Sequence, residues 1–272
     1  MDFAFFGLKR RPFSPVPDPA CCVAVESCAT AKTTLRQCLE LGRGIAVLTA
    51  PAGLGKTLLC ARLAEELRDR FAVVFLTTPT FASPRALLQT LVSELGQRHL
   101  RLEEQELRLR LQSATRQLRP NRAGLVVIAD EAHLLPARVL EELRALTNLI
   151  QDGEPLVRLL FSGQLELEEK LALPALSALA QRIGAHLNLI PLSRQESEKY
   201  VAERIAWAGG RLADVFSPDA VRLIVQASDG VPRALNQLCE QSLLMAATKR
   251  ERPVREASVR EALQELRQLP LH

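Results

Sequence analysis

Aromatic residues are scarce, 4% of the chain, with one Trp and one Tyr. Leu and Ala dominate instead, so the core is expected to be rich in helix. No apolar run approaches the roughly 18 residues that a membrane span needs, so no transmembrane segment is expected. The opening residues, MDFAFFGLKRRPF, reach charged side chains too early for a signal peptide. Neither sign of charge prevails: 35 Lys and Arg against 31 Asp and Glu leave a net +4. That mildly basic balance is not the signature of a nucleic-acid coat. It permits DNA, anionic lipid or nucleotide and selects none of them. The six cysteines form no CxxC pair and have no His at ligand spacing. They read as reduced, mostly buried thiols, and the chain is expected in the cytoplasm. What remains is ordinary: 272 residues, 47% hydrophobic and 24% charged, enough for one large domain or two modest ones.

The informative stretch is IAVLTAPAGLGKTLL, residues 45–59. Residues 45–48 are an apolar run that reads as a buried strand. Ala50, Pro51, Ala52, Gly53, Leu54 and Gly55 form a tight loop, and Lys56-Thr57 open an apolar helix. Strand, Gly-containing loop and helix in that order make a phosphate-binding loop. Its backbone N–H groups cradle phosphate oxygens, and the helix N-terminus adds a positive dipole end. Lys56 is expected to reach the β and γ phosphates of ATP, and the Thr57 hydroxyl to hold Mg²⁺. The usual pattern opens with Gly where this chain has Ala50, a replacement that requires φ to stay negative there.

A second constellation is LVVIADEAHLL, residues 125–135. An apolar strand ending in two acids suits a Walker B element. Asp130 would bind Mg²⁺, directly or through water, and Glu131 would orient and activate the attacking water. The letters Asp-Glu-Ala-His also spell a helicase box, but a helicase of that class needs two motor domains. His133 reads as a packing or polar-network residue. Ser162 and Gln164, at the end of another apolar strand, are both candidates to hold the attacking water. Two arginines stand beside structural punctuation: Arg182 before the last core strand, and Arg233 in Gly-Val-Pro-Arg at the start of a helix.

Between these motifs the pattern alternates strand and helix to about residue 191. Strands are expected at 45–48, 71–77, 125–129, 156–161 and 187–190. Helices are expected at 26–41, 56–70, 84–96, 102–118 (exposed and amphipathic) and 136–151. After Pro191 only helical segments follow, at 193–208, 217–228, 231–248 and 256–268. Residues 1–20 carry Pro12, Pro15, Pro17 and Pro19 and read as an extended leader. The expected organisation is a leader at 1–20, an α/β core with a parallel sheet at 21–191, and a small all-helical lid at 192–272.

In order, these features resemble an AAA+ ATPase, specifically the ExeA/GspA-type general secretion pathway ATPases. The resemblance covers nearly the whole chain. It runs from Phe6-Gly7-Leu8, Pro12-Phe13 and Pro17-Asp18-Pro19 through the loop and Asp130-Glu131-Ala132-His133. It continues over Gly163-Gln164-Leu165-Glu166-Leu167 and Gln181-Arg182-Ile183 to Pro191-Leu192-Ser193 and Gly230-Val231-Pro232-Arg233. The resemblance implies a P-loop NTPase (AAA+) fold with a helical lid, ATP and Mg²⁺, and a homo-oligomer. Arg182 maps to the arginine finger, acting in trans on a neighbouring copy, and Arg233 to the lid sensor. The leader would lie near the adenine pocket, although Cys21-Cys22 stand where the group usually has aromatics. Larger secretion members continue into a membrane segment and a peptidoglycan-binding domain, and this sequence ends at His272 without them. The resulting expectation is a cytoplasmic motor or switch for an envelope assembly or secretion system. It would work with a protein partner, in the cytoplasm or peripherally at the inner membrane. The alternative is a DNA-binding ATPase of transposition type. It is less favoured because the C-terminal Lys249, Arg250, Arg252, Arg255 and Arg260 are interleaved with Glu251, Glu256 and Glu261.

Overall fold

The computed structural model describes residues 3–14, 26–77, 80–118 and 121–268. Pro15, Pro17-Asp18-Pro19 and Cys21-Cys22 therefore lie outside the described residues. Contacts along the chain separate it into two units. One comprises residues 27–52 and 56–189, the other residues 1–26, 53–55 and 190–272.

The first unit is built on strands β1 (Ile45–Thr49), β2 (Ala72–Leu76), β3 (Leu125–Ala129), β4 (Ile150–Gln151), β5 (Glu154–Pro155), β6 (Val157–Gly163) and β7 (Ile183–Asn188). Five of them form a parallel sheet in the order β2-β3-β6-β1-β7. Every residue of β1, β3 and β6 is buried. Such strands read as near-continuous apolar runs because helices cover both faces. Around the sheet lie α1 (Glu26–Glu40), α2 (Lys56–Leu67), α3 (Pro84–Glu94), α4 (Glu104–Gln117), α5 (Ala137–Leu146), α6 (Glu166–Leu171) and α7 (Ser177–Ala180). The start of α3 follows from its letters: the Ser83 hydroxyl accepts from the Ala86 N–H, and Pro84 takes the first turn.

The sheet's register fixes where the chemistry gathers. Thr49 lies opposite Gly163, and Ala129 opposite Phe161. The loop after β1, the acids after β3 and the polar end of β6 therefore emerge side by side. Ligands of open parallel sheets bind at this carboxyl edge.

Residues 3–6 of the leader, expected to be extended, form a 3₁₀ turn, since the first proline comes only at Pro12. Helix α6 falls where no helix was expected. Three further elements also differ from the sequence expectation. The helix expected at 136–151 stops at Leu146, and β4 and β5 follow as a short hairpin. Asp152 and Gly153 both take positive φ, +54° and +78°, as a tight hairpin turn of the primed type demands. The last strand is Ile183–Asn188 rather than 187–190. Gly184 and Ala185 dilute its apolar signal, and as a sheet edge it is only half buried. The helix expected to be exposed at 102–118 instead commits Leu107 and Leu111 wholly to the core.

One cation of the core escaped the pattern reading. Arg158 in β6 is 3% exposed and donates to the carbonyls of Ala123 (3.3 Å) and Pro155 (2.7 Å). Its guanidinium lies 4.8 Å from the centre of the Phe71 ring. Fixed carbonyls and an aromatic face replace the water that this charge gives up.

The second unit is helical: α8 (Arg194–Trp207), α9 (Leu212–Val215), α10 (Pro218–Ala227), α11 (Pro232–Thr248) and α12 (Glu256–Gln268). Ser193 and Glu196 cap α8 reciprocally, and Ser217 caps α10. The described part of the leader belongs here. Phe6 and Phe13 are buried, Arg204 Nε donates to the Pro12 carbonyl at 2.7 Å, and Arg10 lies over Trp207.

Candidate active site

The loop after β1 is shaped by two glycines. Gly53 and Gly55 have φ of +86° and +90°, a region that only Gly adopts cheaply. A Cβ added at Gly55 would meet no heavy atom within 4 Å, so the loop backbone there borders open space. Ala50 is fully buried and is not among the described non-Gly residues of positive φ. The condition for Ala in place of the usual Gly is therefore met. Ala50→Gly should change ATP turnover by less than about twofold, since the loop needs no extra freedom there. Steady-state hydrolysis checks this, and a tenfold rise would show that Ala50 restrains the loop.

Lys56 begins α2 and is 5% exposed. Its ammonium donates to the Ala50 carbonyl at 2.8 Å and the Pro51 carbonyl at 3.1 Å. The charge is thus held across the loop, at the helix N-terminus, where anions are favoured.

Next to Lys56, the Thr57 hydroxyl donates to Asp130 Oδ2 at 2.5 Å. Asp130 is 1% exposed, and its other oxygen accepts from the Ser162 hydroxyl (2.8 Å) and the Glu131 N–H (3.1 Å). Of the two candidates at the end of β6, Ser162 is the one whose side chain hydrogen-bonds Asp130. Cys60, one turn along α2, is fully buried. Burial first, and then the negative charge of Asp130, push its thiol up, so it stays protonated. Burial likewise pushes up the Cys239 thiol.

Hard oxygens from Thr57 and Asp130 within hydrogen-bond distance are the donor set that Mg²⁺ takes, together with water and phosphate oxygens. A buried carboxylate that accepts from three neutral donors is also what a cation would complete. The residues present fit the ion.

Glu131 has φ +51° and ψ +36°, left-handed and costly for a residue with a Cβ. Ala132–Leu134 then form a single 3₁₀ turn. His133, which the spacing marked only as a network residue, brings Nδ1 to 3.4 Å from Glu131 Oε2 and accepts from the Gln164 N–H. Lys56, Thr57, Asp130, Glu131 and Ser162 are thus brought together.

Arg182 is not part of that cluster. Its carbonyl accepts from the Ile45 N–H at 2.8 Å, at the opposite end of β1 from the loop. Five strand residues at about 3.3 Å each separate the two ends. The guanidinium is exposed and donates to Thr147 Oγ1 at 2.8 Å. Arg233, in the helical unit, donates its backbone N–H to the Gly53 carbonyl at 3.2 Å. A Cβ on Gly53 would lie 3.0 Å from both Arg233 Cβ and Val231 Cγ1, a second reason for Gly there.

A side-chain cluster that sequence reasoning missed adjoins the base of the loop. Thr49 donates to Glu168 Oε1 at 2.5 Å and lies 3.0 Å from His186 Nε2. No spacing rule connects β1, α6 and β7, so no sequence signal could have found it.

Residues 39–171 match the family model for the AAA domain. The chain is 35% identical to general secretion pathway protein A of Aeromonas hydrophila over 246 residues. That match covers 89% of this chain and 44% of the relative, so the chain spans less than half of that protein. Among solved structures, the Aeropyrum pernix ORC2 protein in its ADPNP-ADP complexes aligns with a TM-score of 0.69 at 19% identity, covering 94% of this chain and 72% of that one. Cdc6p of Pyrobaculum aerophilum aligns at 0.70 and 17% identity, covering 100% and 75%. At these identities the two structures speak for the fold alone. With an AAA domain at residues 39–171, the parallel P-loop fold in place and 89% of this chain aligned with the secretion relative, the chain is an AAA+ ATPase that resembles general secretion pathway protein A.

Proposed function

We propose that this chain is a Mg²⁺-dependent ATPase that works as a motor or switch for an envelope assembly or secretion system. The observation that carries the chemistry is the hydrogen-bonded set Thr57–Asp130–Ser162, with Asp130 and Ser162 buried, beside the loop-held Lys56. In this reading Thr57 and Asp130 would hold Mg²⁺, which would supply neutralisation of phosphate charge. Lys56 exchanges its carbonyl partners for β- and γ-phosphate oxygens. Glu131 accepts a proton from the water whose oxygen bonds to the γ-phosphorus, while the bond to the bridging β–γ oxygen breaks in line. Ser162 holds Asp130 in place. The loop N–H groups of Ala52, Gly53, Leu54 and Gly55 cradle the phosphates, since Pro51 has none and the Ala50 N–H is given to the Gly163 carbonyl.

Arg182 sits a strand length from the phosphate loop of its own chain. A role at a phosphate therefore points to the phosphate of a second copy, and so to a homo-oligomer with shared sites. Arg233 would act from the helical unit.

The secretion assignment rests on the relative named above. The paired ions of the C-terminal region support a protein partner over DNA. Lys249 pairs with Glu261, Arg255 with Glu251 and Arg260 with Glu256, leaving those cations little to offer phosphates. No helix of the described residues is long and apolar enough to cross a membrane.

The test is steady-state ATP hydrolysis with and without Mg²⁺ and duplex DNA, with Lys56→Ala as the blank. Mg²⁺-dependent turnover indifferent to DNA is expected. Strong stimulation by DNA would overturn the envelope reading in favour of a DNA-delivery ATPase. Activity no higher than the blank would remove the motor.

A further inference from the structure

We infer that Lys170 is a positioning residue for Glu131, acting through the turn that carries His133. The inference rests on the reading of Glu131 as the group that takes the water's proton.

Glu131 is the first residue of a turn that holds it in a left-handed conformation. Such a conformation persists only when its surroundings over-determine it. Within the turn there are two backbone hydrogen bonds, Leu134 N–H to the Glu131 carbonyl and Leu135 N–H to the Ala132 carbonyl. The Glu131 N–H bond to Asp130 and the burial of Ala132 and Leu135 add to these, and a further restraint comes from one other segment, the end of β6 and α6.

That segment grips the turn at three places. The Lys170 ammonium donates to the His133 carbonyl and, at 2.9 Å, to the Leu135 carbonyl. Both acceptors are late carbonyls of the turn, which have no partner within it and favour a cation. The Gln164 N–H donates to His133 Nδ1 at 3.4 Å. Gly163 lets the two backbones approach: a Cβ there would sit 3.4 Å from the His133 N and 3.0 Å from Leu167.

The same segment begins at Ser162, whose hydroxyl is bonded to Asp130. One short stretch, residues 162–170, therefore fixes both acids of the candidate site. Among the described residues, Lys170 hydrogen-bonds neither a nucleotide-loop residue nor a carboxylate. Its consequence is geometric: without it the turn loses its charged anchor and Glu131 loses its aim at the water. Misplacement of a catalytic group by about an ångström costs on the order of 10²-fold in rate.

The experiment compares wild type, Lys170→Met, Lys170→Arg and Glu131→Gln with Lys170→Met combined. It measures kcat, affinity for a fluorescent ATP analogue, and amide hydrogen exchange over residues 131–135. Lys170→Met should lower kcat roughly 10- to 100-fold with nucleotide affinity kept within about twofold. Exchange at Leu134 and Leu135 should rise. Lys170→Arg should restore most of the rate, because a cation of similar reach returns. In the Glu131→Gln background Lys170→Met should cost nothing further, since the two act as one unit.

Unchanged exchange in Lys170→Met would overturn the anchor. Looser exchange with unchanged kcat, or a loss that simply adds to that of Glu131→Gln, would overturn the positioning role. A wild type no more active than Lys56→Ala overturns the functional reading itself. The exchange arm separates that failure from failure of the anchor, because it needs no turnover.

Discussion

Glu131→Gln should bind ATP as wild type does and hydrolyse it about 10²- to 10³-fold more slowly. A general base in phosphoryl transfer to water is worth roughly 10²–10⁴ in rate. Gln keeps the shape and the hydrogen-bonding reach and removes only the ability to take a proton. Nucleotide affinity should not move, because the loop, Lys56 and the Thr57–Asp130 pair are untouched. Single-turnover hydrolysis beside equilibrium binding separates the two quantities. Glu131→Gly sharpens the point. It removes the base and also a left-handed φ of +51° at a residue with a Cβ, a strain of about 1 kcal/mol. The greater freedom of Gly in the unfolded chain offsets roughly 0.5–1 kcal/mol of that gain. Glu131→Gly should thus be inactive yet melt no lower than wild type, whereas most substitutions destabilise by about 1 kcal/mol. A variant that keeps its turnover would show that another group takes the proton. A markedly lower melting temperature would show that the Glu131 side chain is structural.

Arg182→Ala and Lys56→Ala should each be inactive alone, and their mixture should recover hydrolysis. The reason is the distance built into β1, whose two ends carry Arg182 and the phosphate loop. In a mixed assembly, an Arg182→Ala subunit still has an intact loop and can receive the arginine of a Lys56→Ala neighbour. Removing a transition-state arginine of this kind costs about 10³–10⁵ in kcat, so even partial recovery stands well above the background. With equal amounts and random neighbours, about one quarter of the interfaces pair an intact loop with an intact arginine. No recovery at any ratio, with both variants folded, would mean that Arg182 serves its own chain's stability through Thr147 rather than a neighbour's phosphate.

Much of the site lies in short spans of sequence. Lys56 and Thr57 follow a Gly-containing turn after an apolar strand, and Asp130-Glu131 end another. These signals are legible because the chemistry needs a strand end, a tight turn and a helix start within a dozen residues. The parallel α/β class followed from the same alternation of apolar runs and helical periods. The hairpin at 150–155 and the edge strand at 183–188 were hidden for opposite reasons. The first is too short for a period to show, and the second is half exposed with Gly184 and Ala185 inside it.

The sequence by itself determined the phosphate loop, the paired acids, the fold class and the condition under which Ala50 could replace Gly. Only the tertiary structure decided which polar side chain meets Asp130, where Arg182 stands relative to the loop, and that Lys170 reaches the His133 and Leu135 carbonyls of the turn after Glu131. The physical reason is that the first group depends on neighbours along the chain. The second depends on register between strands far apart in sequence: Ala129 opposite Phe161 puts Ser162 beside Asp130, and a one-residue shift would have turned it to the other face.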